Sequence, residues 1–268
     1  MRALSRASLY LAAILLSLWV LVPIYFITLA AFSSTTDVYR YPKKLVPTGL
    51  STANMDFFLH TQGIRGSLER SVWVAAVTLV ISLAIGTPAG YAIARFAFRG
   101  ADSFRLAIVS TRAFPIVILS IPLAVLFIRW GIDDSVLGVS LAHTALALPF
   151  AVLVTSSVFA GISVELEEAA LTLGCSRFSA FIRVVLPLAL PGLAAAAIFV
   201  FIISWNEVFA ASILTLRHQT LPAHVLAVLN ESPLPFRFAG GFFMLAPSLI
   251  VIFVIRKYVF NIWGRVVR

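Results

Sequence analysis

Six long apolar stretches constrain this chain more than anything else in it. They cover residues 8–32, 71–95, 105–128, 135–160, 188–213 and 238–260. A helix needs roughly 20 apolar residues to cross about 30 Å of hydrocarbon. In lipid every backbone N–H and C=O must be satisfied within the protein, which leaves helices or closed barrels. These stretches are continuous rather than alternating, so the pattern predicts an all-α membrane protein with six transmembrane helices. Composition agrees: 61% of residues are hydrophobic and only 12% charged, too few to cover a soluble surface. Gly86, Pro88, Pro115, Pro122 and Pro149 lie inside the stretches. Both residue types are common in membrane helices, at kinks and close approaches.

The segments between the stretches set an orientation. With the N-terminus inside, the inner segments hold eleven basic and four acidic residues, and the outer ones eight and seven. The excess of Arg and Lys favours both termini inside. The net charge of +9 forms no basic face, which argues against nucleic acid as a partner. One cysteine, Cys175, allows no intrachain disulfide. The N-terminal run is too long for a signal-peptide core and lacks a small-residue cleavage pattern, so it is kept as a membrane helix. Residues 33–70, rich in Pro, Gly, Ser and Thr, read as a loop, and residues 1–268 as a single domain. There is no phosphate-cradling loop, metal-ligand cluster or nucleophile elbow, so any energy input belongs to another chain.

The segment 161–187, between the fourth and fifth stretches, is too polar to span and too patterned for a plain linker. Ser163 is placed to cap a helix with Glu165 in its first turn. Gly174 suits a stop, and Ser176 a second cap before Pro187. This predicts two short helices joined by a sharp turn at Gly174–Cys175, on the cytoplasmic face. Two roles remain open on physics alone: a helix pair lying on lipid, or one that docks on a partner.

The same segment carries a resemblance. Glu168-Ala169-Ala170, Gly174 and Leu186-Pro187 are similar, at matching spacing, to the EAA loop of ABC importer permeases. Val184 stands where Ile is usual, and Leu173 where many sugar permeases carry Asp. Trp205-Asn206-Glu207 resembles the W-N-[DE] of maltose-type permeases. Ala94-Arg95-Phe96, Arg99-Gly100 and Phe114-Pro115 are also similar to that group, as is the tail Phe260-Asn261-Ile262-Trp263-Gly264. The resemblance implies the transmembrane domain of a type I importer for a carbohydrate. It implies a second homologous permease subunit, two ATPase subunits or a homodimer that bind ATP and Mg, and an extracytoplasmic solute-binding protein. Ala169, Ala170 and Gly174 would permit close helix approach, and Glu168 would offer a charge for the partner or for bracing the turn. Closure of the ATPases would then rock the spans between inward- and outward-facing states. No cofactor is implied in this chain.

Ionisable residues inside spans are costly and often functional. Glu207 and His143 are expected roughly 9–12 Å below the outer surface at 1.5 Å per residue, close enough to share a cavity with Asn206. The alternative is that each satisfies packing or reaches outward. Arg112, roughly 10 Å from the inner end of its span, is a snorkelling cation, or else a gate or the mate of an acidic residue on the companion permease. Two rival functions remain: a permease for phosphate, amino acids or peptides, and a membrane-embedded enzyme built on His143, Asn206 and Glu207.

Overall fold

The structure, a computed structural model, describes the backbone of residues 2–46, 49–96 and 98–266, and side chains over 6, 8–46, 49–96 and 98–255. The C-terminal motif at 260–264 therefore has no described side chains. The described residues are helical wherever regular. The long helices are α1 (Arg2–Ala31), α4 (Ile64–Arg95), α7 (Val136–Ala160), α10 (Leu186–Trp205) and α13 (Leu234–Val266). Short helices α2 (Thr35–Tyr39) and α3 (Ala53–His60) fill the first loop. Next in the chain come α5 (Ala101–Ser110), α6 (Ile116–Trp130), α8 (Val164–Thr172), α9 (Arg177–Ala180), α11 (Phe209–Leu214) and α12 (Leu221–Val228).

Two expected spans need correction. The third is not one helix: Ala101–Ala113 and Ile116–Trp130 meet at 87°. Pro115 disfavours the helical region at the residue before it, and Phe114 is extended there (φ −84°, ψ 120°). The fifth span begins earlier and ends earlier than 188–213. The Leu186 N–H reaches back five residues to the Phe181 carbonyl, so the helix widens by one π-type turn over Phe181–Val185 instead of ending. Pro187, which lacks an N–H, follows directly on this widened turn. Residues Arg177–Trp205 thus form one span, and the predicted second short helix is its N-terminal end. The span stops at Trp205, before Asn206 and Glu207.

The chain forms two compact units. In the first (residues 1–65 and 227–246), Phe58 is fully buried, 4.8 Å from the Phe236 ring and stacked on Phe243 at 5.3 Å. Buried Asn54 donates its amide to the carbonyls of Ser33 (2.8 Å) and Ala30 (3.3 Å), just past and at the end of α1.

In the second (66–226 and 247–268), α4, α7 and α10 pack through small residues. At Gly90 a Cβ would lie 2.1 Å from Thr155 Oγ1, so only glycine permits this spacing of α4 and α7. Helix α11 packs on α6 and α7 in a cluster that includes Val74, Phe127, Val139 and Leu214. A second cluster, Phe159, Val185, Ala189 and Leu193, fixes the end of α7 that leads into α8.

Candidate functional site

Helix α8 is built as the caps predict. The Ser163 hydroxyl accepts from the Glu165 N–H at 3.3 Å, and Glu165 and Glu167 occupy the first turn. At the other end Gly174 takes φ +89°. The Gly174 N–H bonds the Leu171 carbonyl and the Cys175 N–H the Ala170 carbonyl, both at 3.0 Å, a Schellman arrangement. A Cβ on Gly174 would meet nothing within 4 Å, so the glycine is required by its backbone angle and not by space. Ser176 then caps α9 by accepting from the Ser179 N–H at 3.2 Å. Glu168, Ala169, Gly174 and Pro187 are exposed, Leu186 is half-buried, and Ala170 is buried. An acidic, small-residue face therefore stands free on α8.

Sequence reasoning overlooked Glu167. Its Oε1 accepts from the Tyr91 hydroxyl, and its Oε2 lies 3.2 Å from Arg95 Nε. Arg95 Nη2 also donates to the Ile162 carbonyl at 2.9 Å. The side chains of Arg95 and Glu167 are only 6% and 12% exposed, so this ion pair is largely removed from solvent. The Tyr91 ring packs 4.6 Å from Phe181 and 5.5 Å from Phe159. A cleft of about 500 Å³ opens beside them, with Glu168, Arg177 and Phe178 on its wall. The sequence places Tyr91 and Arg95 four residues apart on one helix face, but nothing in it links them to Glu167.

His143 and Glu207 are brought together, with Nε2 3.1 Å from Oε2, and His143 is fully buried. His143 Nδ1 lies 2.9 Å from the Ser204 hydroxyl. Glu207 also accepts from the N–H groups of Ala210 (2.8 Å) and Ala211 (3.0 Å), capping α11 just past the end of the span. Asn206 does not join them: it is exposed, and its amide donates to the Ile202 carbonyl at 3.0 Å. The Arg112 guanidinium sits 3.6 Å from the centre of the Phe150 ring, a cation–π contact at the bend of the broken span.

A second anchor was also invisible in the sequence. Asp134, at φ +48°, accepts from the N–H groups of Leu216 (2.9 Å), Arg217 (3.1 Å) and His218 (2.9 Å) and lies 3.0 Å from His218 Nδ1. Burial pushes its carboxyl up, but the donors from His218, Leu216 and Arg217 outweigh it and hold the pKa below the usual value. Among the described residues, no three His, Cys, Asp or Glu side chains are grouped to hold a metal.

Residues 86–262 match the family described as "Binding-protein-dependent transport system inner membrane component". A putative ABC transporter permease protein of Streptomyces antibioticus is 32% identical over 79% of this chain and 94% of its own length. The trehalose transport system permease protein SugB of Mycobacterium tuberculosis is 30% identical over 89% of each chain. A solved chain from a bacterial ABC transporter that imports the acidic polysaccharide alginate superposes with a TM-score of 0.72 at 24% identity. That match covers 94% of this chain and 96% of the other, so the fold is shared almost throughout.

Proposed function

The chain belongs to the family of binding-protein-dependent transport system inner membrane components, and from that membership we propose that it forms half of the translocation pathway of an ATP-driven importer for a carbohydrate. It is a multi-pass permease subunit and not an enzyme. The single observation that carries the coupling role is α8 itself: a capped helix with exposed Glu168 and Ala169, ended by a glycine whose backbone angle fixes the turn. The carbohydrate assignment is supported by relatives whose names specify trehalose, diacetylchitobiose and arabinooligosaccharides.

In this reading Glu168, Ala169 and Gly174 face a cleft on an ATPase subunit, which binds ATP and Mg, while buried Ala170 lets α8 approach its own chain closely. Leu186 and Pro187 mark where the span leaves that face. The whole chain, 1–268, acts as one transmembrane domain beside a homologous companion, and an extracytoplasmic binding protein delivers the sugar. Asn206, exposed beside the capped end of α11, borders the pathway, with His143 and Glu207 behind it. Arg112, exposed at the bend, lies on the inner side as a gate. The loop and both termini are cytoplasmic, as the basic residues favour.

Co-expression with a companion permease, an ATPase and a binding protein tests the function. Sugar uptake and sugar-stimulated ATP hydrolysis are expected; stimulation by phosphate, an amino acid or a peptide instead would replace the carbohydrate reading. Glu168→Ala should lose ATPase co-purification at normal membrane abundance. Wild-type uptake in that variant would leave α8 as a helix resting on lipid. Leu173 is 86% exposed, so Leu173→Cys in a Cys175→Ser background reports the side. Labelling by an impermeant thiol reagent in intact cells would reverse the orientation.

A further inference from the structure

Helix α8 is joined to the spans on either side by two short non-helical links, residues 161–163 and 173–176. Links of that kind transmit force poorly, because their backbone angles yield first. Apolar packing does not make up the difference, since Ala170 is the single buried residue that α8 contributes among the described residues. What ties α8 to the membrane domain is polar. Glu167 holds two residues of α4, Tyr91 through its hydroxyl and Arg95 at 3.2 Å. Arg95 in turn holds the Ile162 carbonyl, on the link from α7, at 2.9 Å. The Tyr91 ring, wedged against Phe159 and Phe181, connects the same point to the end of α7 and to the π-type turn ahead of α10.

We propose that Glu167 is the strut through which α8 drives α4. It is a positioning residue: Glu168 faces the partner, while Glu167, one position earlier on the helix, faces inward and passes the displacement to Tyr91 and Arg95. Helices α8 and α4 then move as one body during the transport cycle. The geometry suits this role because the ion pair is largely removed from solvent, where a charge-assisted hydrogen bond is stronger than in water. The proposal rests on the ATPase-docking role of α8 given above.

The test uses the assembled importer reconstituted in vesicles, reading solute transported per ATP hydrolysed together with ATPase co-purification. In Glu167→Ala, ATPase binding and hydrolysis persist, while the transport-to-hydrolysis ratio falls at least about ten-fold, because the variant loses the bonds to both Tyr91 and Arg95. Tyr91→Phe lowers the ratio in the same direction. The charge swap Glu167→Arg with Arg95→Glu regains part of it, since the ion pair returns while the Ile162 carbonyl stays without its donor, and a loss of mere local packing would not be rescued. A wild-type ratio in Glu167→Ala overturns the proposal.

A second arm does not depend on that variant being stable. Glu167→Cys and Arg95→Cys are placed in a Cys175→Ser background and joined by a bis-methanethiosulfonate linker, replacing the ion pair with a covalent one. Restored transport is expected, because the two helices travel together. Arrest of transport on linking would mean that α8 slides on α4, and the strut would be refuted. Failure of the docking role reads differently, as normal ATPase retention and uptake in Glu168→Ala whatever the Glu167 variants do.

Discussion

His143 Nε2 lies 3.1 Å from Glu207 Oε2, joining the middle of α7 to the break that follows α10. The Glu207 carboxylate can only accept, and it takes the N–H groups of Ala210 and Ala211 as well as the His143 contact. His143 Nδ1 lies 2.9 Å from the Ser204 hydroxyl, which donates to Thr78 Oγ1 at 3.4 Å. The pair crosslinks two spans at a point where the second of them ceases to be helical. Removing one partner strands the other in a site largely closed to solvent, where His143 is fully buried and Glu207 only 7% exposed.

His143→Ala should therefore destabilise the protein by about 1–3 kcal/mol, the cost of an unsatisfied buried polar group. His143→Gln, which keeps a donor of similar reach, should recover part of that. Thermal unfolding of the purified complex, followed by intrinsic tryptophan fluorescence, measures both. Equal melting of His143→Ala and wild type would remove the pair from the stabilising contacts.

Gly90 marks a different kind of dependence. A Cβ there would meet Thr155 Oγ1 at 2.1 Å and the Ser156 backbone nitrogen at 2.7 Å. The nitrogen is main chain and cannot rotate aside, so α4 and α7 must separate. Gly90→Ala should cost about 1–3 kcal/mol or more through overpacking, and should lower membrane abundance. Gly90→Ala combined with Thr155→Ala removes Oγ1 but leaves the Thr155 Cβ at 2.9 Å and the Ser156 nitrogen at 2.7 Å, so abundance should recover incompletely. Quantitative immunoblotting of membranes reads the series.

The apolar runs and the loop at 161–187 were legible because hydropathy over a span and cap chemistry are local signals. The bends were not. Pro23, Pro88, Pro122, Pro149, Pro191 and Pro247 all lie inside helices that continue past them. A proline in a membrane helix therefore does not announce a break, and only the extended Phe114 separates Pro115 from the rest. The fifth span was read too long because apolar residues continue past Glu207, although its carboxylate starts a new helix. Glu168 was visible through its motif. Glu167 was not, because its partners stand 72 and 76 positions away and nothing in spacing connects them. His143 and Glu207 were expected to be near each other, but Asn206 was grouped with them by adjacency in sequence and not by direction.

Asp134 predicts a pH dependence. Its carboxyl is held below the ordinary value by donors from His218, Leu216 and Arg217 that outweigh the cost of burial. A depressed folded value means the anion is favoured in the folded state. The stability it contributes is present above the ordinary carboxylate range and is lost as pH falls through the depressed folded value. Asp134→Asn turns one acceptor into an NH2 facing amide donors. The stability difference between wild type and Asp134→Asn should be constant near neutrality and shrink in acid. Hydrogen exchange at 214–218 should rise in the variant. A difference that grew in acid would contradict the sign.

Gly174 gives the cleanest separation of backbone from packing, because a side chain there has room and still does not fit. Nothing lies within 4 Å of a Cβ built on it, so any penalty comes from φ +89° alone. For a non-glycine residue the left-handed region costs roughly 1–2 kcal/mol, and a β-branched side chain is worst placed to bear it. Asn visits that region more readily, because its short polar side chain bonds locally. Gly174→Val should therefore break the Schellman arrangement that holds the Cys175 N–H on the Ala170 carbonyl at 3.0 Å. Helix α8 would then swing relative to α9, and Glu168 would miss its docking angle. Because the spans do not touch this side chain, membrane abundance should stay near normal while transport and ATPase retention are lost. Gly174→Ala should fall between, and Gly174→Asn should keep most of the activity. The expected order, wild type, then Asn, Ala and Val, follows backbone tolerance and not side-chain volume, since Asn is bulkier than Ala. An order that followed volume instead would mean that the exposed face of α8 is packed against something at the turn, and that the glycine is needed for space after all.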